Sequence, residues 1–544
     1  RDLIPRYKIK DCDLIISFNS DFLETWLAPV EYSREFGKVH ILEKNTIGKY
    51  IYFGASETMS SANADRFIRI EPGTEAEVIF RIANKLKKQE AIRNPQYQNL
   101  IPQIEEASAV SEQIIEEITQ YIKKASNPLI LAGSPVDTSS QSVQTVKAAA
   151  LLNDLLGNKD RIDFAHYHAL SNAAYKKEVN EFFSSVSNNN ILIIHNTNPV
   201  YSEPHVAEKI KRAGKVIYIG NTINETARLA DWILPSNYSL EEWGDYEPWK
   251  GTLSLIQPTM ATLYDTRSAG DIFLELMDKG SGNSYKNYVR SYWKDWALRN
   301  NASLKPVRKE NGEIKTNKFF NKALQSVCIQ AQTPPEHPSL RGPIEDYTQE
   351  NAKLRNNQFH LMLYPSLFFY DGRLANRPWL QEIPHPVSNI AWQSWVDMNP
   401  APAKKMDIKD GELIKLSSEA GKVYVSVRLS EHTEPNTLAI EAGQGHWSMG
   451  ATATQTGINA FALLAGNGNL ASVKVEKTGK IERPLYLHPT KDQHDRELLR
   501  HVDLKHLPME QPKKRKSTGR FLKVTKKNMI FMNLMDTRIT DGPW

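Results

Sequence analysis

Apolar positions follow two periods along this chain, and the period changes near Phe359. Before it, short apolar runs closed by polar turns alternate with stretches whose apolar residues recur three and four apart, the order of an α/β fold. Asp13–Phe18 is the first run, ending in Asn19, Ser20 and Asp21. A helical stretch from about Phe22 to Phe36 and a second strand at Val39–Leu42 complete a β-α-β unit, which implies a parallel pair and a right-handed crossover. Phe67–Ile70 reads as a third strand. Pro72-Gly73-Thr74 opens a helix at Glu75, with Thr74 as N-cap and Glu77 at the third helical position. Residues 87–106 are polar and irregular, a surface insertion. Ser111–Lys124 returns to helical spacing, Pro128–Gly133 is a buried strand, and Val143–Leu156 is a helix stopped by Gly157. The first Rossmann-like unit closes there, over residues 1–158.

A second unit spans 159–300. Ile191–His195 is its first strand, and a helix at about Pro204–Ala213 leads to Val216–Ile219, closed by Gly220. Glu225–Ala227 and Ala230-Asp231 form a short helical turn, and Trp232–Leu234 is an apolar run stopped by Pro235. The strand-end loops Asn196–Pro199 and Asn221–Thr226 are therefore expected side by side, the usual ligand crevice of a doubly wound sheet. The alternative is that both loops only turn the chain, with Asn chosen for its tolerance of left-handed backbone. Residues 280–357 are polar and interrupted, loops over a helical core at Tyr285–Ala297, and 301–357 reads as a loop-rich connector. Beyond Phe359 the signals are short strands and tight turns: His360–Tyr364, Glu412–Ser417, Lys422–Arg428 and Thr437–Glu441, with Asp410-Gly411 and Ala420-Gly421 between them. Ile414 and Leu416 alternate with Lys415 and Ser417 as in a half-buried strand. A compact β-barrel over 358–480 and an extended basic tail over 481–544 complete the expectation.

Composition narrows the chemistry. The chain has 544 residues, enough for several domains, with an ordinary 24% charged residues and a net charge of +5 that argues against a general polyanion binder. Two cysteines, Cys12 and Cys328, cannot by themselves hold an iron–sulfur cluster, a four-thiolate zinc or a disulfide framework. No apolar run reaches the ~18 residues of a membrane span. Arg1 and Trp544 both fall close to or within apparent elements, so both ends read as cut. Gly466-Asn467-Gly468-Asn469-Leu470-Ala471 has dinucleotide-site spacing but lacks the preceding strand and the following helix, and reads as a plain glycine loop. Glu225, Asp231, Glu241, Glu242, Asp245 and Glu247 could hold a metal or form an acid–base pair only if they converged; a solvated acidic loop is the simpler reading. The tail from Pro512 to Lys527 has Lys513, Lys514, Arg515, Lys516 and Arg520 and no acid. Interleaved apolar residues (Phe521, Val524, Met529–Leu534) favour docking on a partner protein over nucleic acid or lipid.

These stretches, in this order, resemble the molybdopterin oxidoreductase (dimethyl sulfoxide reductase) superfamily. The residues are Asp13–Phe18, Pro72–Glu75, Leu152–Asn158, Asn198-Pro199-Val200, Glu225-Thr226-Ala227 with Ala230-Asp231 and Leu234-Pro235, then Asn399-Pro400 and Asp410-Gly411. Trp26–Tyr32, Ser61–Asp65, Trp243–Pro248, Tyr370–Arg373, Pro378–Glu382, Gly443–His446 and Leu485–Pro489 are similar to the molybdopterin-like part of the iron–sulfur subunit of bacterial alternative complex III. The resemblance implies two Rossmann-like domains with mainly parallel sheets and a double-psi β-barrel, with a pterin pocket gripped by Asn196, Asn198, Asn221, Thr222, Glu225 and Thr226. In that subunit the pocket is understood to be empty, and Trp243–Pro248 is expected to fill the space or meet a partner. It further implies no catalytic residue, metal ligand or cofactor in this span. 4Fe-4S and 3Fe-4S clusters and haem c would lie on adjoining segments or partners: a ferredoxin-like iron–sulfur part, quinol-binding integral membrane subunits and a multihaem cytochrome c subunit. The expected location is the periplasmic face of the bacterial inner membrane. The alternative is an active oxidoreductase with molybdenum or tungsten held by two pterins, its metal-ligand segment outside this span.

Overall fold

Leu14–Phe18 (β1) carries five consecutive buried residues and lies inside a four-stranded parallel sheet. The structure, a computed structural model, describes residues 4–487 apart from 42–46, 105–109, 134–140, 171–172, 278–283, 307–314, 327, 333–353, 355–356 and 465–470. Pro29–Val39 (α1) links β1 to Lys49–Gly54 (β2); Arg66–Arg69 (β3) and Pro128–Ala132 (β4) complete the sheet order β3-β2-β1-β4, all parallel. Helices Glu75–Lys88 (α2), Glu112–Lys124 (α3) and Ser142–Leu155 (α4) cover the face bearing Leu14, Ile16, Phe18, Ile51 and Phe53. On the opposite face Ile15, Tyr50, Tyr52, Leu129 and Leu131 pack with Tyr32 and Phe36 of α1. Coverage of both faces is what a parallel sheet requires.

Two local expectations are corrected here. The second strand is β2, not Val39–Leu42: Val39 completes the α1 apolar stripe with Tyr32 and Phe36 at helical spacing, and the aromatic run Tyr50–Phe53 makes the strand. Thr74 does not cap α2 with its side chain; its hydroxyl donates to Glu71 O (2.7 Å), and Glu75 instead accepts from Gly73 N (2.8 Å) and Asn19 Nδ2 (2.6 Å).

The second parallel sheet has three strands, Ile191–His195 (β5), Lys215–Gly220 (β6) and Trp232–Pro235 (β7), in sequence order. Lys176–Ser185 (α5) and short turns cover its Leu192, Ile194, Val216 and Tyr218 face. The other face is largely bare, with Ile191 68%, Ile193 44% and Trp232 60% exposed. Gly244–Trp249 (β8) and Thr252–Ile256 (β9) pair antiparallel, so Trp243–Pro248 builds a hairpin edge. Ala269–Leu276 (α6) and Tyr285–Arg299 (α7) follow. The described part of 301–357 holds Thr316–Gln325 (α8) and Ile329–Gln330 (β10); β10 adds to β9, and Phe319 shares a core with Trp293, Trp296 and Leu253. Polar composition had hidden α8.

Gln358–Tyr364 (β11), Trp395–Met398 (β12), Glu412–Ser417 (β13), Lys422–Leu429 (β14), Thr437–Glu441 (β15) and Ala471–Ile481 (β16) form a closed barrel in the order β11-β15-β12-β14-β13-β16, with parallel and antiparallel pairs mixed. Its interior is one aliphatic cluster including Leu361, Val396, Ile414, Val425, Leu438 and Val473. The fold class is thus as expected. Among the described residues no helix is long and apolar enough to cross a membrane. Gly466–Leu470 and the tail residues Lys513, Lys514, Arg515, Lys516 and Arg520 lie outside the described residues.

Candidate functional site

Asn198 follows β5 and Thr226 follows β6, and the two strand ends meet. Asn198 Oδ1 accepts from Thr226 N (3.1 Å) and Thr226 Oγ1 (2.8 Å), while its Nδ2 donates to Glu225 Oε2 (2.7 Å). Thr226 Oγ1 also accepts from Val200 N (3.1 Å), tying in the turn that Pro199 starts. Glu225 and Thr226 are fully buried.

The barrel side supplies the rest. Glu225 Oε1 accepts from Trp447 N (2.8 Å) and Ser448 N (3.1 Å), and His446 Nδ1 lies 3.1 Å from the same oxygen. His446 Nε2 faces Gly372 O at 3.2 Å, so both ring nitrogens meet acceptors. Tyr201 stacks on the imidazole at a centroid distance of 3.8 Å, and its hydroxyl donates to Gln444 O (2.7 Å). Burial works to raise the Glu225 carboxyl, but the His446 and Asn198 hydrogen bonds outweigh it and hold the group below the usual carboxylate range. Sequence reasoning chose Glu225 but not Tyr201 or His446. The available signal was the Gly443-Gln444-Gly445-His446 run, whose Gly443 and Gly445 both have positive φ (109° and 80°).

The other three expected site residues stay at the rim. Asn196 is exposed with φ 47°, a left-handed turn that Asn tolerates, and its N–H donates to Ile219 O (2.8 Å). Asn221 and Thr222 are half-buried and bond to each other (Thr222 Oγ1 to Asn221 Oδ1, 3.1 Å). A buried pterin dinucleotide needs donors and acceptors facing open space between strand ends and barrel. Here Asn198, Glu225 and Thr226 spend theirs on one another and on the barrel backbone directly. Asn198, Glu225 and Thr226 are therefore committed to the seam and do not fit that group, while Asn196, Asn221 and Thr222 stay at the rim.

The six loop carboxylates do not gather. Apart from Glu225, Asp231 caps Val216 N (2.7 Å), Glu241 accepts from Tyr238 N (3.0 Å), Asp245 accepts from Trp293 Nε1 (3.0 Å), and Glu247 accepts from Gly251 N (2.8 Å). Each of these four holds local backbone or packing, while burial, with Asp271 and Glu241 nearby, raises the Glu242 carboxyl.

A different acidic group, unmarked in the sequence, sits between the β1 loop and the barrel. Ligand atoms of Glu24, His385 and Glu441 lie within 4.8 Å of one another. Glu24 Oε2 accepts from Met59 N (2.9 Å), and Glu441 Oε1 accepts from Leu367 N (3.1 Å). Burial pushes Glu24 well above the carboxylate range, aided by neighbouring Asp21, and pushes Glu441 up to about 7. His385 Nδ1 accepts from Val387 N (3.3 Å) and Ser388 N (3.2 Å), which leaves the proton of the neutral ring on Nε2, buried without a hydrogen-bond partner among the described residues and 3.9 Å from Glu441 Oε1. A metal-bound imidazole donates from its second nitrogen. This one accepts there, so the cluster suits stored protons rather than a cation.

Comparison with known proteins places this geometry. The family described as molybdopterin oxidoreductase matches residues 5–279, and the molydopterin dinucleotide binding domain matches 367–469. The menaquinone reductase molybdopterin-binding-like subunit of Nitratidesulfovibrio vulgaris is 21% identical over 84% of this chain and 68% of its own length. Molybdopterin-containing subunits of arsenate respiratory reductase are 23% identical in a Shewanella species and 27% identical in Chrysiogenes arsenatis, over 45% and 37% of this chain but 37% and 26% of theirs. The structure of acetylene hydratase from Pelobacter acetylenicus superposes with a TM-score of 0.63 at 11% identity, over 87% of this chain and 79% of that one. Both matching families are named for a molybdopterin, so the family implies that cofactor although none was expected in this span.

Proposed function

The chain belongs to the molybdopterin oxidoreductase family, and from that premise we propose that it is a scaffold subunit without its own active site in a quinol-oxidising respiratory complex of the alternative complex III kind. The observation that carries the proposal is the closed seam at Glu225, whose carboxylate spans directly from the Asn198 side chain to the Trp447 and Ser448 amides. A dinucleotide seated between Asn198 and the Trp447–Ser448 backbone would have to displace those bonds, and each buried group left unpaired costs about 1–3 kcal/mol. The relative in N. vulgaris, named as a molybdopterin-binding-like subunit of a menaquinone reductase, supports a place in a quinone-linked assembly.

In this reading quinol is oxidised at integral membrane partners. Electrons pass through clusters of a ferredoxin-like part to a multihaem cytochrome c subunit on the periplasmic face. This chain orders those parts, and its basic residues Lys513–Lys516 and Arg520 dock on one of them. The deciding test is elemental analysis of the purified native complex. Molybdenum and tungsten are expected well below one atom per chain; stoichiometric metal would overturn the scaffold reading.

The second reading is an active molybdenum or tungsten enzyme, favoured by the matches to arsenate respiratory reductase subunits. The rim groups of Asn196, Asn221 and Thr222 would then be the ones that face the cofactor, whose metal supplies the redox chemistry.

A further inference from the structure

Strand β5 ends the second parallel sheet. Its one ladder runs to β6, from Ile191 opposite Lys215 to His195 opposite Ile219, without a register shift. Continuing that ladder, Asn196 N donates to Ile219 O at 2.8 Å. In a parallel ladder the N–H and C=O of one residue point to the same side, and sides alternate along the strand. Leu192 and Ile194 therefore turn to β6 with Asn196, while the backbone groups of Ile191, Ile193 and His195 point outward. Among the described residues no strand takes them up.

Exposed edges are normally blunted by charge, proline or a bulge. Ile191–Ile194 has none of these. Helix α5 runs beside this edge, and the groove between them measures about 590 Å³, walled by Val179, Phe182 and Phe183 on the helix and by Leu192–His195 on the strand. Lys176 and Glu203 at its end pair with each other, so the lining offers no lone charge.

We propose that β5 is a docking edge that accepts one extended, uncharged segment of a partner subunit, with alternate apolar side chains, as a fourth strand. Main-chain hydrogen bonds to Ile191, Ile193 and His195 would supply the affinity, and the α5 wall would select apolar side chains. Charge complementarity sets the occupant's chemistry: a charged strand would bury an unpaired charge in a neutral groove. A second copy fits less well, because it brings its own α5 to the same edge. The inference rests on the reading of this chain as a subunit of a larger complex.

Hydrogen–deuterium exchange at single-amide resolution tests it, comparing the full chain alone with the native complex. The Ile193 and His195 amides should exchange fast in the chain alone and at least roughly tenfold slower in the complex, with Leu192 and Ile194 protected in both. Equal exchange of Ile193 and His195 in both states, with partners present, overturns the docking edge and leaves the subunit reading standing. Protection that rises with the concentration of the chain alone assigns the edge to a second copy and also overturns the proposal. A chain that purifies with no partner overturns both. I193P removes an outward N–H while keeping the β6 ladder, and should weaken partner association about tenfold; I193K, which leaves the backbone intact, should do the same, and wild-type binding by both variants would count against the edge.

Discussion

His446 Nδ1 lies 3.1 Å from Glu225 Oε1, a buried contact between residues 221 positions apart. It joins the second parallel sheet to the barrel. The Trp447 and Ser448 amides converge on the same carboxylate, and Tyr201 covers the ring. One strand end thus carries the junction between that sheet and the barrel.

Removing the Glu225 carboxylate should therefore be a stability lesion before it is a functional one. Glu225→Ala leaves two amides and an imidazole without their acceptor and is expected to cost roughly 3–5 kcal/mol. Asn221→Ala, at the rim, should stay within about 0.5 kcal/mol. Denaturant unfolding of both variants checks this. Asn221→Ala is consequently the cleaner probe of the pocket: on the scaffold reading proposed above, quinol oxidation by the assembled complex should stay near wild type, and a large loss with assembly intact would argue for a working cofactor site.

Gly372 makes the same junction sterically demanding. Its φ is +99°, and a Cβ there would lie 2.6 Å from Tyr201 and 2.7 Å from His446. Gly372→Ala combines backbone strain with a clash against two stacked rings, so a loss of about 2–4 kcal/mol is expected. A thermal midpoint unchanged from wild type would show that Tyr201 and His446 can move apart, contrary to a tight stack.

Much of this architecture was legible because the buried strands are short apolar runs with little else to become. β1, β4, β5 and β6 are such runs, and the barrel strand β13 shows its alternation in Ile414 and Leu416. Val39–Leu42 misled because a helix's last apolar residue and a strand's first look alike without the neighbouring turn. The pairing of Asn198 with Glu225 and Thr226 followed from strand order. His446 and the Glu24–His385–Glu441 group did not, since contacts between domains leave no periodic trace and burial of a carboxyl cannot be read from its neighbours in sequence.

That buried group should give the protein a pH limit on the alkaline side. Glu441 is raised by burial from 4.5 to about 7, and Glu24 is raised as well. A carboxyl raised in the folded state contributes fully below its unfolded value and loses the contribution as pH climbs through the folded one. His385, lowered by burial from 6.5 to about 4, and Glu225, held low by its hydrogen bonds, act oppositely and weaken the fold as pH falls. Glu441→Gln keeps an acceptor for Leu367 N without the titration. Relative to wild type it should gain stability between about pH 5 and pH 8, by up to roughly 3 kcal/mol. Urea unfolding across that range checks it, and parallel pH dependences for the two proteins would remove Glu441 from the account.

Asn198 offers the sharpest separation of hydrogen bonding from charge. Its Nδ2 donates to Glu225 Oε2 at 2.7 Å while its Oδ1 accepts from Thr226 N and Oγ1. Asn198→Asp keeps the two acceptor contacts but sets a second carboxylate against a buried one, whereas Asn198→Ala loses all three bonds and adds no charge. If the Glu225 charge is held by this network, the Asp variant should be the less stable of the two at neutral pH despite its closer shape, and should recover as the pH falls toward about 5 and one proton is shared between the two carboxyls. The Ala variant should show no such recovery. Unfolding midpoints at the two pH values distinguish the cases: a deficit of the Asp variant that does not shrink in acid would mean that solvent reaches the pair and that the seam is open.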